Sequence, residues 1–275
     1  MSSAERPVFG GKTYHLMVGE GDVAPYVLLP GDPERVPRIA ERWDEAVEVA
    51  RHREYVTYTG VYGGAPVSAT STGIGGPSAA IAVEELASVG ATTLIRVGST
   101  GSIQEEVRLG DLIIAAAAVR LDGTSRQYVM PEYPAVASYE VVMALVEAAE
   151  SLGVRYHVGL IASTDSFYTG QGRPGFSGYW QSWMDSIIPD LRRARVLSFD
   201  METATILTLA QLFGLRAGSV CAVFADRVRN LFEVRGEEDA IMVANEAVRI
   251  LHEWDELKQE VGKRHLYPSL LRGAP

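Results

Sequence analysis

Three groups of side chains in this sequence could do chemistry, and most of them fall just after an apolar run. Arg35 follows Gly31-Asp32-Pro33, and Arg96 precedes Gly98-Ser99-Thr100-Gly101. An arginine closing a strand beside glycine and hydroxyl residues can grip an anion, and a helix N-terminus carrying an arginine attracts one. The second group is Phe167, Gln171 and Arg173 on a loop punctuated by Gly170 and Gly172, with Arg227 after a later strand. An extended backbone would send Gln171 and Arg173 to the same side. A glutamine amide donates and accepts hydrogen bonds, whereas arginine only donates. The third group is Asp200-Met201-Glu202, which follows a brief strand and opens a helix. Many loops delivering polar groups to strand ends is the pattern of a small-molecule enzyme.

The elements that must position these groups centre on 67–103. Val67 to Thr72 reads as a strand, Gly73-Ile74-Gly75-Gly76 as a turn and Pro77 as a first helical position. Ser78 to Val89 reads as a helix, Thr92 to Val97 as a second strand, and Gly98 to Gly101 as a second glycine turn. Such a unit fits a right-handed parallel crossover, with both turns at ligand-binding strand ends. Gly73-Ile74-Gly75 begins a dinucleotide fingerprint, but Ser78 stands where the third glycine belongs. No Gly-Lys-Ser/Thr follows for a triphosphate loop. A purely structural turn is the remaining bland alternative.

Before this unit, Tyr26 to Pro30 reads as a strand, Glu34 to Trp43 as a helix and Arg53 to Val61 as a strand. After it come strands Asp111–Val119, Tyr156–Ser163, Val196–Phe199 and Arg216–Phe224, with helices Tyr139–Leu152, Thr203–Phe213 and Glu238–Leu257. Residues 174–195 read as a surface helix or flap. The alternation predicts an α/β fold: a single three-layer domain over 14–257, with a central mixed β-sheet flanked by helices. Residues 1–13 read as a flexible N-terminus and 258–275 as a C-terminal tail.

The 275 residues are 47% apolar, enough for a large core, and carry a net charge of −10. Nucleic acid and anionic membrane are poor partners for such a chain. Of the 25 basic residues 22 are arginine, which a GC-rich genome would explain in bulk, so only individual arginines carry weight. No apolar run spans a membrane, no secretion signal opens the chain, and one cysteine, Cys221, forms no intrachain disulfide. These point to the cytoplasm. The five histidines are too scattered for zinc.

Taken in order, several motifs resemble the uridine phosphorylases of the nucleoside phosphorylase family. They are Pro30-Gly31-Asp32-Pro33-Glu34-Arg35, His52-Arg53-Glu54, Ser71-Thr72-Gly73-Ile74-Gly75-Gly76-Pro77-Ser78, Arg96-Val97-Gly98-Ser99-Thr100-Gly101, Phe167 to Arg173, and Met201-Glu202. The resemblance implies phosphorolysis of pyrimidine nucleosides: uridine plus phosphate gives uracil and ribose 1-phosphate. It implies phosphate as co-substrate and no required cofactor, in a homohexamer built as a trimer of dimers with shared active sites. Gly31, Arg35, Arg96 and Ser99 would hold phosphate, joined by Arg53 from a neighbour. Met201 and Glu202 would hold ribose, with His15 from the neighbour. Thr100, Gly101, Phe167, Gln171, Arg173, Asp200 and Arg227 would surround the base. Arg96, Glu202, Arg173 and Gln171 would carry catalysis. A structural potassium ion between subunits would lie at Glu54, Ile74 and Ser78.

Bland readings stand beside these roles. His15 could be a loose N-terminal histidine, Glu202 an ordinary first-turn helix acid, Phe167 a core residue and Arg227 a partner of Asp226. The chain also departs from the family pattern. Asp200 stands for a glutamate, Gly172 could loosen the base clamp, Phe224 replaces an aliphatic residue, and Asp226 replaces an asparagine and adds charge near the base edge. Three rivals follow: a purine nucleoside phosphorylase, whose purine-protonating aspartate would align with Ala225; a hydrolytic nucleosidase; and a nucleoside-binding protein without turnover.

Overall fold

The computed structural model describes residues 3–5 and 7–271. A small hairpin, β1 (Val8–Phe9) with β2 (Lys12–Thr13), precedes the main sheet. β3 (Tyr26–Pro30) leads into the short helix α1 (Arg35–Ala40). β4 (Glu45–His52), β5 (Tyr55–Tyr62) and β6 (Ala65–Thr70) form an antiparallel meander. Helix α2 (Gly76–Ser88) then crosses to β7 (Thr93–Ser102). β8 (Leu112–Leu121), α3 (Thr124–Tyr128), β9 (Ala135–Val136), α4 (Tyr139–Leu152) and β10 (Tyr156–Thr164) follow. Three 3₁₀ turns and α5 (Ile187–Arg193) fill the segment before β11 (Val196–Asp200). The chain then forms α6 (Thr203–Leu212), β12 (Arg216–Asp226), β13 (Leu231–Phe232), α7 (Glu237–Glu260) and α8 (Pro268–Leu271).

The main sheet is mixed. β3 pairs parallel with both β6 and β7, as the crossover reading requires. β12 pairs parallel with β7 and antiparallel with β8. With β8–β10, β10–β11 and β11–β7 also paired, five strands close into a ring. Two apolar layers cover the sheet. On one side α1, α4 and α7 bury Ile39, Leu145 and Leu251 among others. On the other, α2 and α6 bury Leu86, Ile206 and Leu209. These two helical layers make the sandwich that the alternation predicts.

The largest difference from the sequence reading is β7. Gly98-Ser99-Thr100-Gly101 is not a turn; the strand runs through it to Ser102. Pairing supplies the reason, since β12 matches Cys221 to Gly98 and continues to Asp226 opposite Ser102. Glycine is required at 98 for a packing reason: a Cβ there would lie 2.8 Å from both Arg96 Nη2 and Cys221 Sγ. Arg96 therefore sits within the strand, its guanidinium folded over Gly98. β4 escaped the sequence reading because it is an edge strand with mostly exposed, charged positions and no apolar alternation.

Both ends carry structure. Within the segment read as a tail, α7 continues to Glu260, and Leu266 and Leu270 are buried against the core. Residues 272–275 of that tail, and Met1, Ser2 and Arg6 of the N-terminal segment, lie outside the described residues.

Candidate active site

A cavity of about 720 Å³ opens where β3, β7, β11 and β12 end. Fourteen of the residues expected from the sequence line it: Gly31, Arg35, Glu54, Ile74, Arg96, Ser99, Thr100, Gly101, Phe167, Gln171, Arg173, Asp200, Met201 and Glu202. His15, Arg53, Ser78 and Arg227 do not.

The charged end is built on strands. Arg96 stands between two carboxylates: Nε donates to Asp200 Oδ2 at 2.8 Å and Nη2 pairs with Glu202 Oε2 at 2.5 Å. All three side chains are at most 5% exposed. Its third nitrogen, Nη1, is buried with no partner. A Cβ at Gly31 would lie 4.0 Å from Nη1, so the orphan donor faces the turn after β3. A buried N–H without an acceptor is rare enough to need an explanation, and an incoming anion supplies one. Arg35 adds a second guanidinium, held by Glu237 Oε1 at 2.6 Å and by the Val97 carbonyl at 3.1 Å. Ser99 adds a half-buried hydroxyl in the cavity wall.

Glu202 occupies the cap position of α6 but does not cap it; its carboxylate turns to the cavity. Besides Arg96 it accepts the Gly75 N–H at 2.6 Å. The first glycine turn, expected to bind a ligand directly, thus serves partly to hold Glu202. Gly75 needs its freedom for this, at φ 92°. Burial raises the Glu202 pKa; Arg96 opposes the rise and Asp200 adds to it. Burial likewise works against the Arg96 charge, yet Glu202 and Asp200 together hold it above its ordinary value.

Asp200 lines the cavity and is tied into the fold behind it. Its side chain is fully buried, and its carboxylate accepts from Ser163 Oγ, Arg96 Nε, Thr203 N and Thr203 Oγ1. Oδ2 takes three of these donors and Oδ1 takes only Ser163, so the carboxylate is held firmly by the fold. Thr100 donates to the Phe199 carbonyl at 2.5 Å, and its oxygen is still able to accept.

The other end is built on the loop after β10. Its backbone is not extended: Thr169–Gln171 is a 3₁₀ turn and Gly172 is left-handed at φ 65°. Gln171 and Arg173 nevertheless meet, because Arg173 Nη1 donates to Gln171 Oε1 at 2.6 Å and to the Phe167 carbonyl at 2.6 Å. The Arg173 guanidinium lies 4.0 Å from the Phe167 ring centre, a cation–π contact that covers one ring face. Burial and then the charge of Arg227 push Arg173 down to about 10.

Arg227 does not pair with Asp226, nor does it reach the cavity. It donates to the Gln171 carbonyl at 2.8 Å and the Gly172 carbonyl at 2.9 Å, tying the loop to the end of β12. Asp226 pairs with Arg229 and accepts the N–H groups of Val228 and Arg229, so its charge is satisfied away from the cavity. Gly172 is closely packed: a Cβ there would meet Ile188 at 2.9 Å. Phe224 does line the cavity, with Phe199 and Phe232, two residues the sequence reading missed. Glu237, Ser163 and Thr203 were missed as well. Glu237 and Ser163 act across 202 and 37 residues, for which a single sequence carries no signal, whereas Thr203 stands three residues from Asp200, a spacing that a helix start could have suggested.

His15 and Arg53 share one surface. His15 Nδ1 is bonded to Glu85 at 2.6 Å, so it is not loose, and its carbonyl meets His52 Nδ1 at 2.9 Å. Arg53 sits at φ 56° in the β4–β5 turn, 6.0 Å from the Tyr14 ring centre. Beside them, Ser78 Oγ donates to Glu54 Oε1 at 3.0 Å, and Ile74 is 79% exposed. Among the described residues, no cluster of three or more His, Cys, Asp or Glu could hold a metal ion. No helix of the described residues is long and apolar enough to cross a membrane.

A mixed sheet opening on a cavity with two arginines, a buried acid and a polar loop suits a small-molecule enzyme, and likeness to known proteins gives the class. The family model described as "Phosphorylase superfamily" matches residues 25–252, and the chain belongs to that superfamily. It is similar to the uridine phosphorylase of Thermococcus kodakarensis, 64% identical over 269 residues, which cover 98% of this chain and 97% of the relative. The uridine phosphorylase of Escherichia coli is 42% identical over 243 residues, covering 87% and 95%. The guanosine phosphorylase of Halorubrum lacusprofundi is 43% identical over 212 residues, covering 77% and 83%.

Proposed function

We propose that this protein is a pentosyltransferase that cleaves uridine with phosphate to uracil and ribose 1-phosphate. The observation that carries the reading is the orphan Arg96 Nη1 beside Gly31, with Glu202 next to it and the Gln171–Arg173 pair across the same cavity. Phosphate is a weak nucleophile and must be fixed beside the sugar carbon; Arg96, Arg35 and Ser99 are suited to that. The ribose becomes cationic as the glycosidic bond breaks, and the adjacent phosphate charge stabilises it. Glu202 accepts from the ribose hydroxyls and orients the ring. The departing uracil gains negative charge, which the Arg173 guanidinium and the Gln171 amide delocalise. The near-full-length likeness to a protein named uridine phosphorylase supports the same substrate.

The rival purine reading has one observation behind it, the likeness to a protein named guanosine phosphorylase. Against it, Ala225 lines the cavity where a protonating aspartate would be needed, and Asp226 is committed to Arg229. A hydrolytic reading leaves the two guanidinium groups and the orphan donor without a purpose. The test is uracil release from uridine with and without phosphate. Release that depends on phosphate supports the proposal; equal release without it points to hydrolysis, and none at all to binding only.

The assembly belongs to the same proposal. His15 and Arg53 stand together outside their own chain's cavity, which suits donation to a neighbour's site in a trimer of dimers. Mixing Arg53→Ala and Glu202→Ala subunits, each inactive alone, then restores part of the activity through one intact site per mixed dimer; no recovery after verified exchange would rule out sharing. A potassium ion fits the same interface. The Glu54 carboxylate and the Ser78 hydroxyl are oxygen donors of the required kind, 3.0 Å apart, and a second copy would complete the shell. A cytoplasmic home is supported by the buried, unpaired Cys221.

A further inference from the structure

We propose that Ser163 and Thr203 are positioning residues for phosphate: their hydroxyls lock Asp200, and Asp200 locks Arg96 so that only Nη1 remains to be satisfied. The inference rests on the phosphorolytic reading of the site and adds two residues to it. Neither hydroxyl lines the cavity, and both residues are fully buried.

The geometry runs in a chain. Ser163, near the end of β10, donates from Oγ to Asp200 Oδ1 at 2.5 Å and accepts the Ala204 N–H at 2.8 Å. Thr203, the first residue of α6, donates from Oγ1 to Asp200 Oδ2 at 2.5 Å and from its N–H at 3.0 Å. Ser219 Oγ, on β12, lies 3.2 Å behind Thr203 Oγ1. Asp200 is thereby held from both sides before it meets Arg96. A guanidinium is planar, so fixing Nε on Asp200 and Nη2 on Glu202 fixes the direction of Nη1 as well. Gly98 completes the seat by leaving room for the guanidinium over the strand. The hydroxyls matter because a carboxylate with one carbon between backbone and head group can still rotate about its terminal bond. Two donors, one on each oxygen, remove that freedom.

A plainer account is available. Ser163 and Asp200 also receive the first N–H groups of α6, so they could act only as remote helix caps. The two accounts differ in what a variant disturbs. Losing a cap weakens the helix and degrades every substrate interaction, whereas losing the lock on Arg96 degrades phosphate alone.

The test uses Ser163→Ala and Thr203→Val, neither of which changes the charge of the site, with Thr203→Ser as the variant that keeps its hydroxyl. Phosphate KM at saturating uridine and uridine KM at saturating phosphate are measured for each. The expected result is a phosphate KM raised about tenfold in the first two, the size of one charge-assisted hydrogen bond. Uridine KM stays within about twofold on the same scale, and Thr203→Ser stays near the parent. Equal shifts in both constants, or an unchanged phosphate KM, overturn the proposal. If Ser163→Ala does not fold, the Thr203→Val and Thr203→Ser pair decides alone. Calorimetric titration of inorganic phosphate into each protein, without nucleoside, separates this inference from the functional reading. Weaker phosphate binding in the variants supports the lock even if uridine proves the wrong nucleoside, and unchanged binding sinks it even if uridine is cleaved.

Discussion

The two ends of the cavity are made differently. The end proposed for phosphate and ribose, opposite the one proposed for the base, is a network of charges on β7, β11 and the first turn of α6, with Arg96, Asp200 and Glu202 at most 5% exposed. The base end is a loop whose 3₁₀ turn and left-handed Gly172 are held by two Arg227 hydrogen bonds to carbonyls, with Phe167 47% exposed. One end is fixed by sheet pairing that cannot change without unmaking the fold. The other is a loop tied to the frame by Arg227 and by the Gln171 amide on the Asp200 carbonyl, so its side chains can change while the frame persists. Under the proposed function, chemistry common to any nucleoside falls to the first and discrimination between bases to the second.

The largest effect should come from the rigid end. Arg96→Ala leaves Asp200 and Glu202 buried as uncompensated charges and removes the orphan donor. Steady-state kinetics in phosphate should show a loss of about 2–5 kcal/mol in transition-state stabilisation; unchanged phosphate dependence would remove Arg96 from the site. At the base end, Gln171→Ala and Arg173→Ala should each cost about 3 kcal/mol in kcat/KM for uridine, with phosphate binding largely retained. If both ends lose equally in either variant, the division between them fails.

Arg227→Ala sharpens the comparison, because it touches the loop and not the cavity. Removing the tie to Gln171 and Gly172 should cost about 1–2 kcal/mol for uridine and little for phosphate, read as separate KM values. The smallest effect is in pH. Burial and the Asp200 charge raise the Glu202 pKa, so Glu202 takes up its proton at a higher pH than an ordinary glutamate. Activity is retained while Glu202 is ionised and lost as pH falls through that raised value, since a protonated Glu202 no longer balances Arg96. The acid limb of kcat/KM should therefore lie above the ordinary glutamate range, and Glu202→Gln should abolish that limb in whatever activity remains.

Sequence made the two ends legible to different depths. Arg96, Glu202, Gln171 and Arg173 stood out because they follow strands or sit on a glycine-rich loop, and all four line the cavity; their roles came from the resemblance. Helix Tyr139–Leu152 was readable to the residue, with Ser138 before it and a left-handed Gly153 after it. What escaped depended on distant partners. Gly98 to Gly101 looks like a turn by composition and becomes strand only through β12 and β11. The hold of Ser163 on Asp200 spans 37 residues and leaves no local pattern. Arg227 looked like a base contact, or an ion-pair partner of its neighbour, until the carbonyls of Gln171 and Gly172 came within reach. Glu237 stands 202 residues from Arg35, a separation that local pattern cannot bridge.

The central claim is that one cavity joins a phosphate-gripping end to a uracil-reading end. Phosphate-dependent base release from uridine, cytidine and inosine tests it most directly. Cytosine has an unprotonated N3 and an amino group in place of O4, so it mismatches the Gln171–Arg173 pair and leaves polar groups unpaired. The account predicts rapid release from uridine, hardly any from cytidine and little from inosine. Efficient release from inosine with little from uridine would contradict it.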